Sequence, residues 1–168
     1  MKTKFKDLTI WITGASSGLG EALALAFAKK GATIILSGRN EDKLEAVKEQ
    51  CKKSKNHHIV PFDISDSEQT QAAYKSAINK AGKIDWLINN AGVSQRSLIM
   101  ETSEDVERQI MELDYFAQTR LTRLVLPAML EQGGGKIVMI SSIAGLIGTQ
   151  YRGAYSAAKA AIHLWANS

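Results

Sequence analysis

Short apolar runs alternate along the chain with longer segments whose apolar residues recur every three or four positions. The short runs predict buried strands, and the longer segments predict amphipathic helices. The strand candidates are LTIWIT, ATIILSG, HHIVPFD, IDWLINNAG and KIVMISS, and the helices are predicted to begin near Leu19, Asn40, Ser67, Glu104 and Tyr155. This alternation predicts an α/β fold, a doubly wound parallel sheet with helices on both faces.

Capping residues support several of these boundaries. Asn40 is a predicted N-cap, and Ser65 with Glu68 has the spacing of a capping box before the third helix. Gly31 and Gly82 stand where helices are expected to end.

The longest predicted helix carries an apolar stripe that predicts packing against one sheet face. Its members are Val106, Ile110, Leu113, Ala117, Leu121, Leu124 and Ala128. Pro127 is expected to kink or end this helix.

Composition narrows the functional classes. The 168 residues are 45% hydrophobic and 23% charged, which predicts a single globular domain over residues 1–168. A net charge of +4 favours small anionic ligands but falls short of a nucleic-acid-binding surface. We see no convincing signal peptide and no membrane-spanning segment, so a cytoplasmic protein that binds neither nucleic acid nor membrane is expected.

Cys51 is the only cysteine, so it cannot form an internal disulfide. His57 and His58 follow it, but no metal-ligand spacing surrounds them. A charged, solvated helix end is the favoured interpretation, and no metal site is expected.

The segment TGASSGLG follows the first predicted strand and opens the first helix. Backbone N–H groups and the positive helix end can bind phosphate at such a turn. Gly14 permits the sharp turn, whereas Gly18 and Gly20 lack the Cβ atoms that would hold a pyrophosphate away or separate helix from sheet. The spacing is not G-x-G-x-x-G, so the position between strand and helix carries the prediction of a Rossmann-like dinucleotide site.

Two other interpretations of this loop stay open. Gly14, Ser16 and Gly18 spell G-x-S-x-G, the nucleophile motif of hydrolases. That interpretation makes Ser16 a nucleophile, although the histidines at 57, 58 and 163 have no supporting context. The other alternative is a glycine-rich turn with no ligand.

Ser37, Gly38 and Arg39 follow the second strand, where the adenosine ribose of a dinucleotide is expected. A carboxylate there would favour the free ribose of NAD, whereas the Arg39 guanidinium can bind the 2′-phosphate of NADP. The alternative is that Arg39 is a solvated residue at the helix entry.

Tyr155 and Lys159 lie four apart on a predicted helix and therefore share one face. A nearby ammonium stabilises a phenolate and lowers the tyrosine pKa, which makes an acid–base group. Ser142 precedes Tyr155 by thirteen residues at the carboxyl end of the fifth strand, the edge where open α/β sheets bind ligands. The pair on its own is also explained by ordinary helix packing.

These motifs, in this order, resemble the short-chain dehydrogenase/reductase family from the first strand to the last residue. The resemblance rests on TGASSGLG, the NNAG of the fourth strand and the serine–tyrosine–lysine set. In addition, Asp63 in PFDISD matches the family's adenine-contacting aspartate. The resemblance implies NADP(H) as cofactor, bound by Gly14, Ser16, Ser17, Gly18, Leu19, Gly20, Arg39, Asp63, Asn90, Ala91, Gly92, Tyr155 and Lys159.

The resemblance also implies a mechanism. Tyr155 exchanges a proton with a carbonyl or secondary alcohol, Ser142 polarises that oxygen, and Lys159 lowers the tyrosine pKa and holds the nicotinamide ribose. Asp114 in MELDYFAQ stands where many members carry an asparagine of the proton relay, so we group it with the catalytic residues. If that asparagine acts through its backbone, aspartate can replace it; if its side chain matters, an ionised Asp114 would offset the charge of Lys159.

Members of the family continue beyond the tyrosine–lysine helix through a substrate-covering segment and further strands. The chain is therefore expected to be truncated at its C-terminus, with doubtful activity as it stands and homo-oligomerisation at full length. The leading hypothesis is an NADP(H)-dependent oxidoreductase acting on a small carbonyl or alcohol. The alternative is a non-catalytic NADP(H)-binding regulatory or interaction module.

Overall fold

A computed structural model describes residues 5–168, and its centre is a five-stranded parallel sheet. The strands are β1 (Thr9–Thr13), β2 (Thr33–Ser37), β3 (His58–Ile59), β4 (Trp86–Asn89) and β5 (Lys136–Met139). Their spatial order is β3-β2-β1-β4-β5, and every neighbouring pair is parallel. This order confirms the predicted doubly wound, Rossmann-like fold.

Within residues 5–168, six α-helices connect and cover the strands. They are α1 (Gly18–Lys29), α2 (Glu41–Gln50), α3 (Ser67–Ala81), α4 (Glu104–Met111), α5 (Ala117–Glu131) and α6 (Gly153–Trp165). A π-helical turn over Glu112–Phe116 joins α4 to α5. Single 3₁₀ turns lie at Ser54–Asn56, Ile99–Glu101 and Ile143–Gly145.

The strands divide their apolar side chains between two cores, because successive side chains point to opposite faces. Ile10 and Ile12 of β1 pack on one face, among side chains of α1 and α2. Trp11 packs on the other face, among side chains of α3 and α5. A smaller cluster of Ile110, Ala154 and Ala158 joins α4 to α6.

Several predicted boundaries were wrong in detail. Strand β3 has two residues, whereas HHIVPFD predicts seven. The N-cap of α3 is Asp66, whose carboxylate accepts from the N–H groups of Glu68 and Gln69; it is not Ser65. Of the two outcomes predicted for Pro127, a kink or an end, the end is wrong, because α5 continues to Glu131.

Asn40 caps α2 as predicted by accepting from the N–H of Lys43. Gly82 ends α3 with φ of 78°. No helix within residues 5–168 combines the length and the hydropathy needed to cross a membrane.

Candidate active site

A cleft of about 310 Å³ opens at the carboxyl edge of the sheet, where the loops after β1, β2 and β4 meet. Open α/β sheets bind ligands at this edge, at the point where strand order reverses. Eight of the predicted cofactor-binding residues line the cleft: Gly14, Ser16, Ser17, Arg39, Asp63, Asn90, Ala91 and Gly92. Gly18, Leu19, Gly20, Tyr155, Lys159, Ser142 and Asp114 are not among its lining residues.

The glycine loop is shaped by two different requirements. Gly14 has φ of 64°, and a Cβ built on it would lie 2.9 Å from the Cα of Ala91. Gly18 also has positive φ, 59°, but no atom lies within 4 Å of a Cβ built there. Gly14 therefore permits close packing within the protein, whereas Gly18 faces open space at the start of α1.

Arg39 is exposed at the rim of the cleft, immediately before the N-cap of α2. Within residues 5–168, no hydrogen bond or ion pair to its guanidinium is formed. Ser37 is buried, and its hydroxyl accepts from the Trp11 indole at 2.8 Å. Arg39 is thus the more exposed of these two polar side chains of the cleft.

Asp63 is half-buried on the floor of the cleft. Its Oδ1 accepts from the backbone N–H and the hydroxyl of Ser65, at 2.9 and 2.7 Å. Its own N–H donates to Gln69 Oε1 at 3.0 Å. These bonds fix the carboxylate where the chain turns from β3 into α3.

Asn90 joins the loops that follow β1 and β4. Its amide donates to the carbonyls of Thr13 and Gly14, at 2.9 and 3.1 Å. The Thr13 hydroxyl in turn accepts from the N–H groups of Asn90 and Ala91, each at 3.0 Å. The NNAG segment therefore locks the glycine loop against the fourth strand.

Sequence reasoning missed two of the residues that build this lock. Thr13 ends β1 just before the glycine loop, and its hydroxyl makes the contacts described above. Gln118 is fully buried in α5 and donates to the carbonyl of Ala91 at 2.8 Å. The sequence did contain a signal for Gln118, because this polar residue lies four positions after Asp114 inside an apolar stripe.

Lys159 is buried in α6, and its ammonium has three neighbours. Its Nζ donates to the carbonyl of Ile140 at 3.0 Å and lies 3.3 Å from Asp114 Oδ2. The same nitrogen lies 5.7 Å from the centroid of the Tyr155 ring. The structure thus brings together Tyr155, Lys159 and Asp114.

Asp114 is fully buried in the π-helical turn between α4 and α5. Its Oδ1 accepts from the N–H of Val93 at 2.8 Å. Burial raises the pKa of Asp114, and the Lys159 ammonium and the Val93 N–H oppose that rise. Irregular π turns within helices are frequent at functional sites.

Ser142 ends the loop after β5 and caps the 3₁₀ turn that follows. Its Oγ accepts from the N–H of Ala144 at 3.2 Å, and no hydrogen bond joins it to Tyr155 within residues 5–168. The turn itself packs on α6, because a Cβ built on Gly145 would lie 2.6 Å from the carbonyl carbon of Lys159. Ser142 is therefore held beside the helix that carries Tyr155 and Lys159.

The hydrolase interpretation lacks support from the geometry. Ser16 lies at the carboxyl edge of the sheet, whereas the ring of His57 accepts from Ile34 N at the amino end of β2. His57 Nε2 lies 3.0 Å from the carbonyl of Lys52, so both ring nitrogens are engaged. Within residues 5–168, no group of three potential ligands among His, Cys, Asp and Glu side chains could hold a metal ion.

Two solved structures share the fold of this chain. L-Sorbose reductase from Gluconobacter frateurii, solved with NADPH and L-sorbose, superposes with a TM-score of 0.92 at 33% identity, covering 98% of this chain and 64% of that one. A short-chain dehydrogenase from Streptomyces avermitilis superposes with a TM-score of 0.90 at 34% identity, covering 95% of this chain and 58% of that one.

Two curated relatives are similar to this chain in sequence. Human dehydrogenase/reductase SDR family member 7 is 44% identical over 161 residues, which cover 93% of this chain and 48% of the relative. The mouse protein of the same name is 41% identical over 167 residues, 96% of this chain and 49% of the relative. The chain thus spans about half the length of these relatives. The family model for short chain dehydrogenases matches residues 8–168, and the chain belongs to that family.

Proposed function

We propose that this protein is an NADP(H)-dependent oxidoreductase that interconverts a carbonyl and a secondary alcohol on a small molecule. The observation that carries the proposal is the buried Lys159 ammonium, 5.7 Å from the centre of the Tyr155 ring. A tyrosine hydroxyl beside a buried ammonium can act as a general acid or base. Oxidoreductases dominate the relatives described above, which supports the same reaction class.

The cleft suits a phosphate-bearing dinucleotide. The start of α1 and the open space at Gly18 would receive the pyrophosphate, and Asp63 would lie near the adenine. Arg39, which has no protein partner within residues 5–168, would bind a 2′-phosphate in a fork. The relative from Gluconobacter frateurii was solved with NADPH, which supports the preference for NADP.

The nicotinamide supplies or accepts the hydride when it is bound. In reduction, Tyr155 would give its phenolic proton to the carbonyl oxygen, and Lys159 would stabilise the phenolate that remains. The Ser142 oxygen already accepts from Ala144 N–H, so its own proton stays available to donate to the same carbonyl oxygen. In oxidation the Tyr155 phenolate would take the proton back.

One observation favours the alternative, a non-catalytic NADP(H)-binding module. The Asp114 carboxylate faces Lys159 at 3.3 Å and offsets the charge on which activation of Tyr155 depends. Such a module would bind NADPH without turnover.

A hydride-transfer assay on the protein expressed from its full reading frame separates the two functions. We would screen carbonyls with NADPH and alcohols with NADP, and then compare Tyr155→Phe with Tyr151→Phe. Tyr155→Phe removes a single phenolic oxygen, so we expect turnover to fall about 10²–10⁴-fold with unchanged NADPH affinity. Tyr151 precedes α6 and is exposed, so Tyr151→Phe serves as the matched control.

Full activity of Tyr155→Phe on a confirmed substrate would exclude the proposed acid–base role. NADPH binding without turnover on the whole panel would favour the binding module. Homo-oligomerisation at full length and a cytoplasmic location stay predictions.

A further inference from the structure

Arg152 lies immediately before α6, beside the ring of Tyr155. Its guanidinium carbon is 5.6 Å from the centre of that ring. The same side chain reaches the loop that follows β4, where its Nη1 donates to the hydroxyl of Ser94 at 2.5 Å. Arg152 is partly buried, so water and salt screen its charge less than they screen a fully exposed one.

No carboxylate of the described chain neutralises this guanidinium. Within residues 5–168, none of the ion pairs involves Arg152. A guanidinium carries five N–H donors, and the bond to Ser94 engages one of them. Arg152 therefore retains both the charge and the donors that bind an anion.

The acidic groups of the π-helical turn are engaged by other cations. Asp114 faces the ammonium of Lys159 at 3.3 Å. Glu112 pairs with Arg120 at 2.7 Å. Neither carboxylate is therefore the partner of Arg152.

The elements around Arg152 add no anion to it either. The first turn of α6 contains no acidic residue, and neither does the 3₁₀ turn Ile143–Gly145. The loop after β4 contributes a second cation, Arg96, and one acidic residue, Glu101. Glu101 is exposed and forms no ion pair within residues 5–168. The balance of charge beside Tyr155 is thus positive.

Two contacts fix the chain on either side of Arg152. The N–H of Ser97 donates to the carbonyl of Tyr151 at 3.0 Å. A Cβ built on Gly153 would lie 3.7 Å from Cγ1 of Ile99, an ordinary van der Waals distance. The loop after β4 and the start of α6 therefore form one wall, from which the guanidinium faces the tyrosine ring.

We propose that Arg152 selects substrates that carry a carboxylate in addition to the reacting carbonyl or alcohol. This inference rests on the proposed function in taking Tyr155 as the residue that meets the reacting oxygen. A planar guanidinium binds a carboxylate through two parallel N–H···O hydrogen bonds. At 5.6 Å from the ring centre, the guanidinium lies within the span of a small molecule whose reacting oxygen contacts the phenol.

The charge beside Tyr155 matches a group with one negative charge. Lys159, the other cation near this ring, already faces Asp114. Arg96 lies over the ring of Tyr151, 5.9 Å from its centre. A single guanidinium is thus left for the substrate, which fits a carboxylate better than a doubly charged phosphate group.

Binding of matched acid and ester probes tests the proposal without turnover. We would use 4-oxopentanoate and 4-acetylbenzoate, each with its methyl ester, on the protein expressed from its full reading frame and saturated with NADP. A ketone cannot accept a hydride from the oxidised nucleotide, so calorimetry would measure binding alone. We expect at least one acid to bind about tenfold more tightly than its ester, the size of a charge-assisted contact.

Arg152→Gln should bring the affinities of that acid and its ester close together by weakening the acid alone. Arg96→Gln is the matched control, because it removes an equal charge from the same wall but over the ring of Tyr151. It should keep the preference for the acid. If Arg152→Gln does not fold, Arg152→Met replaces it with the same expected loss.

Ser94→Ala separates charge from a purely structural tie. It removes the acceptor that Arg152 contacts and leaves the guanidinium in place, so the preference for the acid should survive. A loss equal to that of Arg152→Gln would show that the tie to the loop, and not the charge, is what matters, and would overturn the proposal.

Three further results would overturn it. They are the absence of any preference for an acid over its ester, an equal loss of preference in Arg96→Gln, and the failure of both Arg152 variants to fold. The binding measurement is independent of the reaction. A preference for the acid that depends on Arg152, found in a protein that transfers no hydride from NADPH to the same keto acids, would therefore count against the proposed reaction and not against the role of Arg152.

Discussion

Gly20, on the first turn of α1, lies directly against the carbonyl of Gly14. A Cβ built on Gly20 would be 2.2 Å from the Gly14 oxygen and 2.6 Å from the amide nitrogen of Asn90. The first contact is with backbone, which cannot rotate away as a flexible side chain can. The absence of a side chain at Gly20 therefore sets how closely the helix approaches the turn that would receive the cofactor phosphates.

Gly20→Ala should destabilise the protein and displace the glycine loop. Forcing a methyl group into such a packed position typically costs about 1–3 kcal/mol of the free energy of unfolding. Urea denaturation would measure this cost, and NADPH affinity should fall with it. Gly148→Ala is the control, because no atom lies within 4 Å of a Cβ built there. A Gly20→Ala protein as stable as the Gly148→Ala protein would contradict the packing described.

Arg39→Ala should remove most of the preference for NADPH over NADH. A charge-assisted contact with the 2′-phosphate is worth roughly 1.5–3 kcal/mol, or about ten- to a hundredfold in dissociation constant. Fluorescence titrations with both nucleotides would measure it, and NADH affinity should barely change. Lys43→Ala removes another exposed cation one turn further on, outside the cleft lining, and should leave the preference intact. Equal affinities for the two nucleotides in the unmutated protein would refute the assignment.

Replacing Gly18 should block the cofactor by filling the open space at the start of α1. Gly18→Val adds the larger obstruction, and Gly18→Asn adds a residue that tolerates positive φ at lower cost. Both should weaken NADPH binding at least tenfold while the sheet stays folded. Gly82→Asn isolates the effect of backbone strain, because Gly82 also has positive φ and open surroundings but lies at the end of α3. Similar losses of affinity in Gly18→Asn and Gly82→Asn would mean that strain, and not obstruction, explains the result.

The sequence predicted the fold because two patterns are clear: the short apolar runs of the strands and the three-to-four-residue apolar repeat of the helices. Both patterns depend only on residues that are near one another in the chain. Five apolar runs became five parallel strands, and each predicted helix formed. The wrong boundaries, at the start of α3 and the end of β3, depend on which neighbouring groups form hydrogen bonds with each other. The Ser65 hydroxyl bonds Asp63, which leaves Asp66 to cap α3. Beyond Ile59, the N–H of Val60 still bonds the carbonyl of Leu36, so the chain follows β2 further than the regular strand extends.

The candidate site was predictable where a motif stands at the end of a strand, since strand ends meet at one edge. The glycine loop, Arg39 and Asp63 reached the same cleft for this reason. The π-helical turn at Glu112–Phe116 was not predictable, because an apolar stripe specifies which residues face the core and not the number of residues in each turn. That turn holds Asp114, whose contacts with Val93 and Lys159 are tertiary.

His57 supplies a link between β2 and the end of α2 that depends on its being neutral. Its Nδ1 accepts from the N–H of Ile34 at 3.0 Å, and its Nε2, the protonated nitrogen of this tautomer, donates to the carbonyl of Lys52 at 3.0 Å. Burial lowers the pKa of His57, the bond to the Lys52 carbonyl partly opposes this, and the charge of Lys48 lowers it further. A second proton would turn Nδ1 into a donor facing the Ile34 N–H.

Acid should therefore destabilise the fold through His57. Its pKa is lower in the folded protein than in the unfolded chain, so the unfolded chain binds more protons. The contribution of His57 to stability is complete above the ordinary histidine pKa of about 6.5 and is lost as the pH falls through that value and below it. We would measure the free energy of unfolding in urea between about pH 7.5 and pH 5, a window set by that ordinary pKa.

His57→Gln offers an acceptor to Ile34 N–H that does not titrate, so its stability should fall less steeply with acid. His163→Gln, on α6, should retain the slope of the unmutated protein. Equal slopes in the unmutated and His57→Gln proteins would show that the His57 link does not control the acid sensitivity.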